Sequence, residues 1–237
     1  MRAATITPTY NERENIEILI PKIIDVFKEE AIDGEVIIVD DNSPDGTGKV
    51  AEELARKLGV VVVMNRPRKM GLGSAYKDGF KYALSRGHTV IIEIDADLSH
   101  NPADIPKFIR MIQVGCDLAI GSRYIPGGEI PKWSLFRRLA SSFANSTARF
   151  LLRLTPRDVT SGYRAYNLNA LTTIDLTSVK SDGYAFQVEM VFRCQKAGLK
   201  ICEIPIAFTD RVAGESKLSK KEMWQFFKSL IQMIVGG

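Results

Sequence analysis

The sequence has 237 residues, of which 45% are hydrophobic and 25% are charged, so it can bury a substantial core and lacks the composition of a disordered protein. Its 32 basic and 28 acidic residues leave a formal net charge of +4, too small an excess for a nucleic-acid-binding fold. We therefore expect one globular domain with at most a small appendage, and no nucleic-acid partner.

The amino-terminal segment MRAATITPTY has one basic residue followed by a short strand-like run, so it lacks the apolar core of a signal peptide. No stretch of the chain reaches the roughly 18 consecutive apolar residues that a membrane span needs. We therefore expect a protein that is soluble or peripheral to a membrane.

Runs rich in β-branched residues predict strands at residues 3–7, 35–40, 60–64, 89–94 and 117–121. Segments of helical periodicity between them predict helices at residues 11–30, 47–58, 73–86, 103–114 and 134–154. Continuous apolar strands that alternate with helices favour a parallel sheet covered on both faces. The prediction is an α/β fold with a Rossmann-like, doubly wound, mostly parallel sheet.

Two local signals mark the first predicted helix. Asn11 followed by Glu14 is typical of a capping box, in which a side chain satisfies the first free N–H groups. Pro21 predicts a kink or a restart, because proline cannot donate the helical hydrogen bond. The helix is therefore expected to begin at a side-chain cap and to be disturbed near its middle.

The second half of the chain has a different pattern. Residues 160–167 and 200–208 are strand-like and flank a predicted helix at 184–197. We expect these strands to join the edge of the sheet with mixed directions. A polar segment at 211–219 leads to a helical pattern that runs from residue 219 to residue 235.

The three cysteines, Cys116, Cys194 and Cys202, are odd in number and lie in apolar surroundings without a C-x-x-C spacing. This pattern predicts a reducing compartment and argues against a disulfide framework or a thiolate metal site. With only two histidines, a histidine zinc site or a serine-histidine triad is not expected either. Any metal ion should therefore be held by carboxylates.

The segment Asp95-Ala96-Asp97 follows the fourth predicted strand, and two carboxylates one residue apart can bind a divalent cation. Ligands of open α/β sheets bind beyond the carboxyl ends of the strands, which is where this segment lies. A bare D-x-D is common by chance, and two solvated loop aspartates are the alternative interpretation. The neighbouring loops favour a Mg²⁺ or Mn²⁺ site.

The second predicted strand ends in Asp40-Asp41, and a carboxylate there can accept an N–H of a uracil or guanine base. The segment that follows is rich in turn-forming residues, which alone explains Pro44, Asp45 and Gly46. We assign Asp41 to a nucleotide and the other residues to the turn.

Gly71-Leu-Gly73 precedes a predicted helix and invites comparison with a dinucleotide fingerprint. That fingerprint should follow the first strand, and Tyr76 stands here in place of its third glycine. The glycines more simply form a turn or let the loop approach a phosphate. A nucleotide-dependent oxidoreductase is therefore the weaker alternative.

Motifs spread over almost the whole chain resemble the inverting family 2 glycosyltransferases with the GT-A fold, and more narrowly the dolichyl-phosphate (polyprenyl-phosphate) mannosyltransferases. They are PTYNERENI, VDDNSPDGT, GLGSAY, EIDADLSH, AIGSRYIPGG, TSGYRAY, DGYAFQVEM and RVAGESKLS. The combination of PTYNERENI, DADLSH and GESK is highly specific. The resemblance implies inverting transfer of mannose from GDP-mannose to a polyprenyl phosphate, with another sugar nucleotide such as UDP-glucose as the alternative donor.

The resemblance also implies which residues hold the donor. The guanine nucleoside would be held by Pro8, Tyr10, Glu12, Val39 and Asp41. The diphosphate, the sugar and a Mg²⁺ or Mn²⁺ ion would be held by Asp95, Ala96 and Asp97, with the two aspartates as metal ligands. Some family members carry a longer glutamine at the position of Ser99 and use it near the metal, so the resemblance gives Ser99 no such role.

Basic residues would meet the phosphate groups from both sides of the cleft. The resemblance implies donor contacts for Arg211 and Lys217, and acceptor-phosphate contacts for Arg123, Arg137 and Ser141. Asp97 and Arg123 are the expected catalytic residues. The polar, glycine-bearing segment between Arg211 and Lys217 looks like a mobile lid, and a plain surface connection is the alternative.

The lipid acceptor implies a membrane partner. We expect residues 1–218 to form the catalytic domain. The apolar and basic pattern of residues 219–237 predicts an amphipathic interfacial helix, with Lys220, Lys221 and Lys228 near anionic headgroups. The alternative is that this helix packs on the protein's own core or on a membrane subunit. Some relatives continue into transmembrane helices, and this sequence shows no such stretch. We therefore expect a peripheral enzyme on the cytoplasmic face of a membrane, with small membrane-anchoring subunits in some organisms.

Overall fold

The computed structural model describes residues 1–131, 133–209 and 220–236. Arg211 and Lys217, which the sequence analysis assigns to the donor, lie outside these ranges. Within them the strands are β1 (Arg2–Thr9), β2 (Asp33–Asp40), β3 (Val61–Asn65), β4 (Val90–Glu93), β5 (Leu118–Ser122), β6 (Arg164–Asn167) and β7 (Ile201–Pro205). The helices are α1 (Arg13–Glu29), α2 (Thr47–Leu58), α3 (Leu72–Ser85), α4 (Ile105–Gln113), α5 (Leu135–Leu152), α6 (Leu168–Thr173), α7 (Gly183–Lys196) and α8 (Lys220–Gly236), with a 3-10 turn at Pro102–Asp104.

The described strands form one mixed sheet in the order β3-β2-β1-β4-β6-β5-β7. Strands β1 to β4 are parallel, β6 is antiparallel to both of its neighbours, and β7 runs parallel to β5 at the edge. The predicted mostly parallel α/β sheet is confirmed. The prediction that residues 160–167 join the sheet edge is wrong, because β6 is shorter and is inserted between β4 and β5.

Both faces of the sheet are covered, as expected for a doubly wound fold. Alternate residues of β2 enter opposite cores: Val36 and Ile38 pack with α1, α2 and α4, whereas Ile37 and Val39 pack with α3, α5, α7 and α8. This alternation follows from the pleat, which sends successive side chains to opposite faces. The carboxyl ends of β1, β2, β4 and β5 are therefore left to carry the polar loops.

The predicted capping box of α1 is wrong. The N-cap residue is Glu12, no side chain of the helix caps it, and Asn11 has a left-handed φ of 60°. The N–H groups of the two residues before α1 are satisfied by side chains that follow β2: Ser43 accepts from Asn11, and Thr47, the first residue of α2, accepts from Glu12, both at 3.0 Å. The start of α1 is thus fixed by tertiary contacts, which hold the first loop against the second.

Helix α1 runs from Arg13 to Glu29 as one element with Pro21 inside it, so the predicted restart is wrong. Proline costs the helix one backbone hydrogen bond. The buried face of α1 on both sides of Pro21, with Leu19, Ile20 and Ile23 among its members, packs into the core and offsets that loss.

Cys116 and Cys202 form a disulfide with Cα atoms 6.1 Å apart, which corrects the expectation of unpaired cysteines. Cys116 lies just before β5, and Cys202 lies on the neighbouring strand β7 opposite Ala119, so the parallel pairing brings the two residues together. The cysteines therefore no longer argue for a reducing compartment. Cys194 is a free buried thiol, and burial raises its pKa to about 12.

Helix α8 has apolar residues on two sides. Phe226, Leu230 and Met233 are buried in the core that α8 shares with α5 and α7. Trp224 and Ile231 are exposed on another side of the same helix. Helix α8 is therefore part of the folded unit, and only its outer side is left for the predicted interface. None of the helices in the described part of the chain is both long and apolar enough to cross a bilayer.

Candidate active site

The Asp95-Ala96-Asp97 segment lies directly beyond β4, and its two carboxylates have different surroundings. Asp97 is buried and accepts hydrogen bonds from the backbone N–H and the hydroxyl of Ser99, at 3.1 and 2.5 Å. Asp95 is half-buried and accepts a hydrogen bond from the Tyr76 hydroxyl at 3.1 Å. Ser99 thus orients Asp97, while Asp95 remains partly accessible to solvent.

Tyr76 is the residue that stands in place of the third glycine in GLGSAY. Burial, with the nearby charges of Asp95 and Glu93, raises the pKa of Tyr76 well above its usual value, so its hydroxyl stays a neutral donor. Sequence reasoning missed this role, although a large polar residue at a glycine position was a usable signal. Tyr76 ties α3 to the aspartate segment.

The donor set of this segment fits a hard divalent cation. Asp95 and Asp97 offer carboxylate oxygens, the ligands that Mg²⁺ and Mn²⁺ prefer. Within the described residues, no three or more His, Cys, Asp or Glu side chains are grouped so that they could hold a metal ion. An ion at these two aspartates would therefore complete its coordination with phosphate oxygens of a substrate and with water.

Asp41 is buried and holds the loop between β3 and α3. Its Oδ1 accepts from Nε of Arg66 at 2.5 Å, and its Oδ2 accepts from the backbone N–H groups of Met70 and Gly71 at 3.0 and 3.2 Å. Arg66 also donates to the Gly71 carbonyl at 3.0 Å. The contact of Asp41 with a nucleotide base stays a prediction. The sequence analysis did not identify Arg66, which follows β3 directly, as the partner of Asp41.

The other residues predicted for the nucleoside line the same edge of the sheet. Pro8 pairs with Val39 across β1 and β2, and Val39 is fully buried, so its side chain is not exposed to a ligand. The ring of Tyr10 lies 3.9 Å from Nζ of Lys69, a cation–π contact. Glu12 accepts from the Asn15 amide at 2.7 Å.

Arg123 follows β5 and is held by a buried ion pair. Its Nε and Nη2 donate to the two carboxylate oxygens of Asp158 at 2.7 and 2.8 Å, and Nη2 also donates to the Thr160 hydroxyl at 2.8 Å. Burial alone would raise the pKa of Asp158, but Arg123 lowers it below its usual value. The pair is therefore ionised, and the Arg123 guanidinium has a fixed orientation.

The predicted acceptor residues are brought together by aromatic side chains. The Cζ atom of Arg137 lies 4.1 Å from the Trp133 ring centroid, and that of Arg123 lies 5.8 Å from the same centroid. Ser141 accepts a hydrogen bond from the Tyr124 hydroxyl at 2.9 Å. Trp133 and Tyr124 were not identified from the sequence. They connect α5 to the end of β5, where Arg123 lies.

The segment before β6 lies between the two aspartates and the arginine. Asp158 and Thr160 hold Arg123, and a Cβ added at Gly162 would lie 3.1 Å from Oδ2 of Asp95. Arg164, the first residue of β6, is fully buried and donates to the carbonyl oxygens of Val159, Ser161 and Gln187 at 2.7 to 2.8 Å. The motif TSGYRAY thus joins the predicted metal site to the predicted acceptor site.

The sequence matches a known protein family over most of its length. A family model described as "Glycosyl transferase family 2" matches residues 5–174. The chain belongs to glycosyl transferase family 2. The family resemblance expected from PTYNERENI and DADLSH is thereby confirmed, and the chain is a glycosyltransferase.

Two curated relatives of this family 2 glycosyltransferase cover nearly all of it. Polyprenol monophosphomannose synthase of Mycolicibacterium smegmatis is 44% identical over 219 residues, which is 92% of this chain and 81% of the relative. Undecaprenyl-phosphate mannosyltransferase of Micrococcus luteus is 43% identical over 219 residues, 92% of this chain and 88% of the relative.

Solved structures share the fold of the family 2 glycosyltransferase at low sequence identity. Glucosyl-3-phosphoglycerate synthase of Mycobacterium tuberculosis, in complex with phosphoglyceric acid, superposes with a TM-score of 0.69 at 18% identity and covers 99% of this chain and 80% of its own. The same protein with Mn²⁺, UDP-glucose and glycerol 3-phosphate gives a TM-score of 0.67 at 17% identity, with 99% and 79% covered. The GT-A fold is thereby confirmed.

Proposed function

We propose that this glycosyltransferase transfers mannose from GDP-mannose to a polyprenyl phosphate, such as dolichyl phosphate, and forms a β-linked mannosyl phosphate. The observation that carries the proposal is the 44% and 43% identity, over 92% of the chain, to two proteins named for mannosyl transfer to polyprenyl phosphates. The positions of Asp41 after β2 and of Asp95 and Asp97 after β4, at one edge of the sheet, are consistent with a site for a nucleotide-sugar diphosphate.

On the donor side, Asp95 and Asp97 would hold a Mg²⁺ or Mn²⁺ ion together with the diphosphate. When bound, the ion supplies Lewis-acid stabilisation of the charge that develops on the leaving GDP. Ser99 keeps Asp97 in position through two hydrogen bonds, and Tyr76 keeps Asp95 in position through one. These contacts keep both carboxylates ready to bind, which lowers the cost of reorganisation.

On the acceptor side, the guanidinium groups of Arg123 and Arg137 and the hydroxyl of Ser141 would orient the polyprenyl phosphate. A phosphate monoester is largely ionised at neutral pH, because its second pKa is about 6, so the nucleophile needs positioning more than deprotonation. The bond from the anomeric carbon to GDP breaks as the bond to the acceptor oxygen forms, with inversion. No general base is assigned.

The proposed reaction can be tested with purified protein, labelled GDP-mannose, a short polyprenyl phosphate and Mn²⁺ or Mg²⁺. We expect the label to become extractable into organic solvent as a lipid product. A parallel reaction with labelled UDP-glucose tests the alternative donor. Faster transfer from UDP-glucose would overturn the donor assignment, and absence of lipid-soluble label from both donors would overturn the reaction.

We expect Arg211→Ala and Lys217→Ala to slow turnover more than they lower stability, since both side chains are proposed to contact donor phosphates. Losing one charge-assisted contact should cost about 1.5–3 kcal/mol in the transition state, which is at least a tenfold loss of kcat/KM. Lys57→Ala, an exposed lysine at the end of α2, is the control. Steady-state kinetics equal to those of the parent for both variants would mean that residues 211–217 are only a connection.

We also propose that the outer side of α8 meets the membrane, at what we expect to be the cytoplasmic face. Trp224→Ser and Ile231→Ser should each weaken binding to vesicles roughly tenfold or more, because a large apolar side chain contributes about 1.5–3 kcal/mol when it leaves water. Both side chains are exposed, so the midpoint of thermal unfolding should stay unchanged.

Two further variants on α8 act as controls for the vesicle assay. Gln232→Ser removes an exposed polar side chain and should leave vesicle binding unchanged. Leu230→Ala removes a fully buried side chain and should lower the free energy of unfolding by about 2–5 kcal/mol. Vesicle binding that is insensitive to both Trp224→Ser and Ile231→Ser would exclude this side of α8 from the interface.

A further inference from the structure

A surface pocket of about 360 Å³ lies beside α5, next to the predicted acceptor site but lined by other residues. Its walls are Tyr124, Ser142, Asn145, Ser146, Arg149 and Arg157. No aspartate or glutamate of the described chain lines it. The pocket thus combines two guanidinium groups with hydroxyl groups, a set of donors suited to an anion.

The two arginines of this pocket have unused hydrogen-bonding capacity. Nε of Arg149 is buried and has no hydrogen-bond partner among the residues that the structure describes. Across residues 1–131, 133–209 and 220–236, the ion pairs involve other side chains and leave Arg149 and Arg157 unpaired. Leaving a buried donor unsatisfied costs free energy, and a bound anion would recover that cost.

The walls of the pocket are held in place before any ligand binds. Asn145 donates to the Arg157 carbonyl at 2.5 Å and accepts from the Val159 N–H at 2.9 Å. The Arg157 N–H in turn donates to Glu203 on β7 at 2.8 Å. Because these contacts fix α5 against the loop that follows it, binding would require little further ordering of the backbone.

An exposed apolar stripe runs along α5 beside the pocket. Leu139, Phe143 and Phe150 are 61%, 63% and 84% exposed, and their spacing of four and seven residues puts them on one side of the helix. Ser142, Ser146 and Arg149 lie on the adjoining side by the same geometry. A ligand that fills the pocket and covers the stripe must carry both a negative charge and hydrocarbon.

We propose that this pocket binds the phosphate group of an anionic membrane phospholipid, whose acyl chains lie along the α5 stripe. A phosphodiester matches the bidentate geometry of arginine, and its single charge is complementary to the two unpaired guanidinium groups. Tyr124 separates this site from the predicted acceptor site, since it lines the pocket and donates to Ser141. The phospholipid would hold the enzyme at the surface where its lipid acceptor lies.

The test measures binding to vesicles of phosphatidylcholine with and without phosphatidylglycerol, all free of polyprenyl phosphate and sugar nucleotide. The parent should bind more tightly when phosphatidylglycerol is present. Arg149→Gln and Arg157→Gln should each reduce that gain about tenfold or more, as expected for a charge-assisted contact. Arg153→Asn removes an exposed charge just beyond the pocket. It should weaken binding to these vesicles at most about fivefold, as expected for general surface attraction.

A second variant tests the pocket without removing an arginine. Ser146→Glu places a carboxylate beside Arg149 on an exposed position of α5, so it should abolish the phosphatidylglycerol-dependent gain and leave the unfolding midpoint unchanged. Gln113→Glu adds the same charge at the exposed end of α4 and should have little effect.

Either of two results would overturn the proposal. One is an equal loss of vesicle binding in Arg153→Asn and in the two arginine variants of the pocket, which would mean that binding depends only on general surface charge. The other is binding of soluble glycerol phosphate that depends on the two arginines and is as tight as vesicle binding, which would mean that the ligand of the pocket is a soluble anion. Because the vesicles contain no acceptor or donor, neither result bears on the proposed mannosyl transfer, and failure of that transfer leaves this assay valid.

Discussion

Asp97→Asn should nearly abolish transfer while the protein stays folded. The substitution removes one of the two charges proposed to hold the metal ion, and losing such transition-state stabilisation is expected to cost about a hundredfold to a thousandfold in kcat. An asparagine oxygen can still accept the two hydrogen bonds from Ser99, so the loop should keep its shape. Turnover as a function of Mn²⁺ concentration, together with the unfolding midpoint, measures both effects.

The chain offers a matched control for this substitution. Asp175 accepts hydrogen bonds from the N–H and the hydroxyl of Thr177, the same local motif that Asp97 makes with Ser99, but it follows α6. Asp175→Asn should leave turnover unchanged. A variant of Asp95 should weaken metal-dependent donor binding. Unchanged turnover and unchanged metal dependence in Asp97→Asn would remove Asp97 from the metal site.

Asp158→Ala should strongly destabilise the folded protein. It leaves the Arg123 guanidinium buried without its carboxylate, and breaking one side of a buried ion pair costs about 3–5 kcal/mol in the free energy of unfolding. Denaturant unfolding with the disulfide intact measures the loss. Asp158→Asn, which keeps the volume and one acceptor, should lose less.

The pair between Lys107 and Asp104 is a useful comparison, because its N···O distance is 2.6 Å but its lysine is exposed. Lys107→Ala should cost about 1 kcal/mol or less, as surface ion pairs do. If Asp158→Ala lowers the free energy of unfolding no more than Lys107→Ala does, Asp158 is not what holds the Arg123 side chain in position. The rate of transfer by Asp158→Asn, measured under conditions in which the variant is folded, then shows how strongly activity depends on the orientation of Arg123.

The sequence predicted the features that depend on local pattern. The apolar runs located the first five strands, and their end positions located Asp41 and Asp95 at one edge of the sheet. The aspartates of DADLSH could be assigned because the motif itself carries the chemistry. These predictions required only residue type and spacing along the chain.

Contacts between distant residues could not be predicted in this way. The start of α1 is satisfied by side chains 32 and 35 residues away, and Arg66 reaches Asp41 across 25 residues. The two bridged cysteines are separated by 86 residues and meet only because β7 pairs with β5. These residues become neighbours because of the order of the strands in the sheet, and that order cannot be read from a single sequence.

The insertion of β6 between β4 and β5 sets the distance between the proposed donor and acceptor sites. Two strand spacings separate β4, which leads into Asp95, from β5, which leads into Arg123, and this distance is about 10 Å. If Asp95 and Arg123 contact the donor and the acceptor as proposed, the sheet would act as a fixed spacer between the leaving group and the incoming phosphate. Because backbone hydrogen bonds between β4, β6 and β5 maintain that gap, loop substitutions that alter the proposed donor or acceptor contacts would leave this distance unchanged.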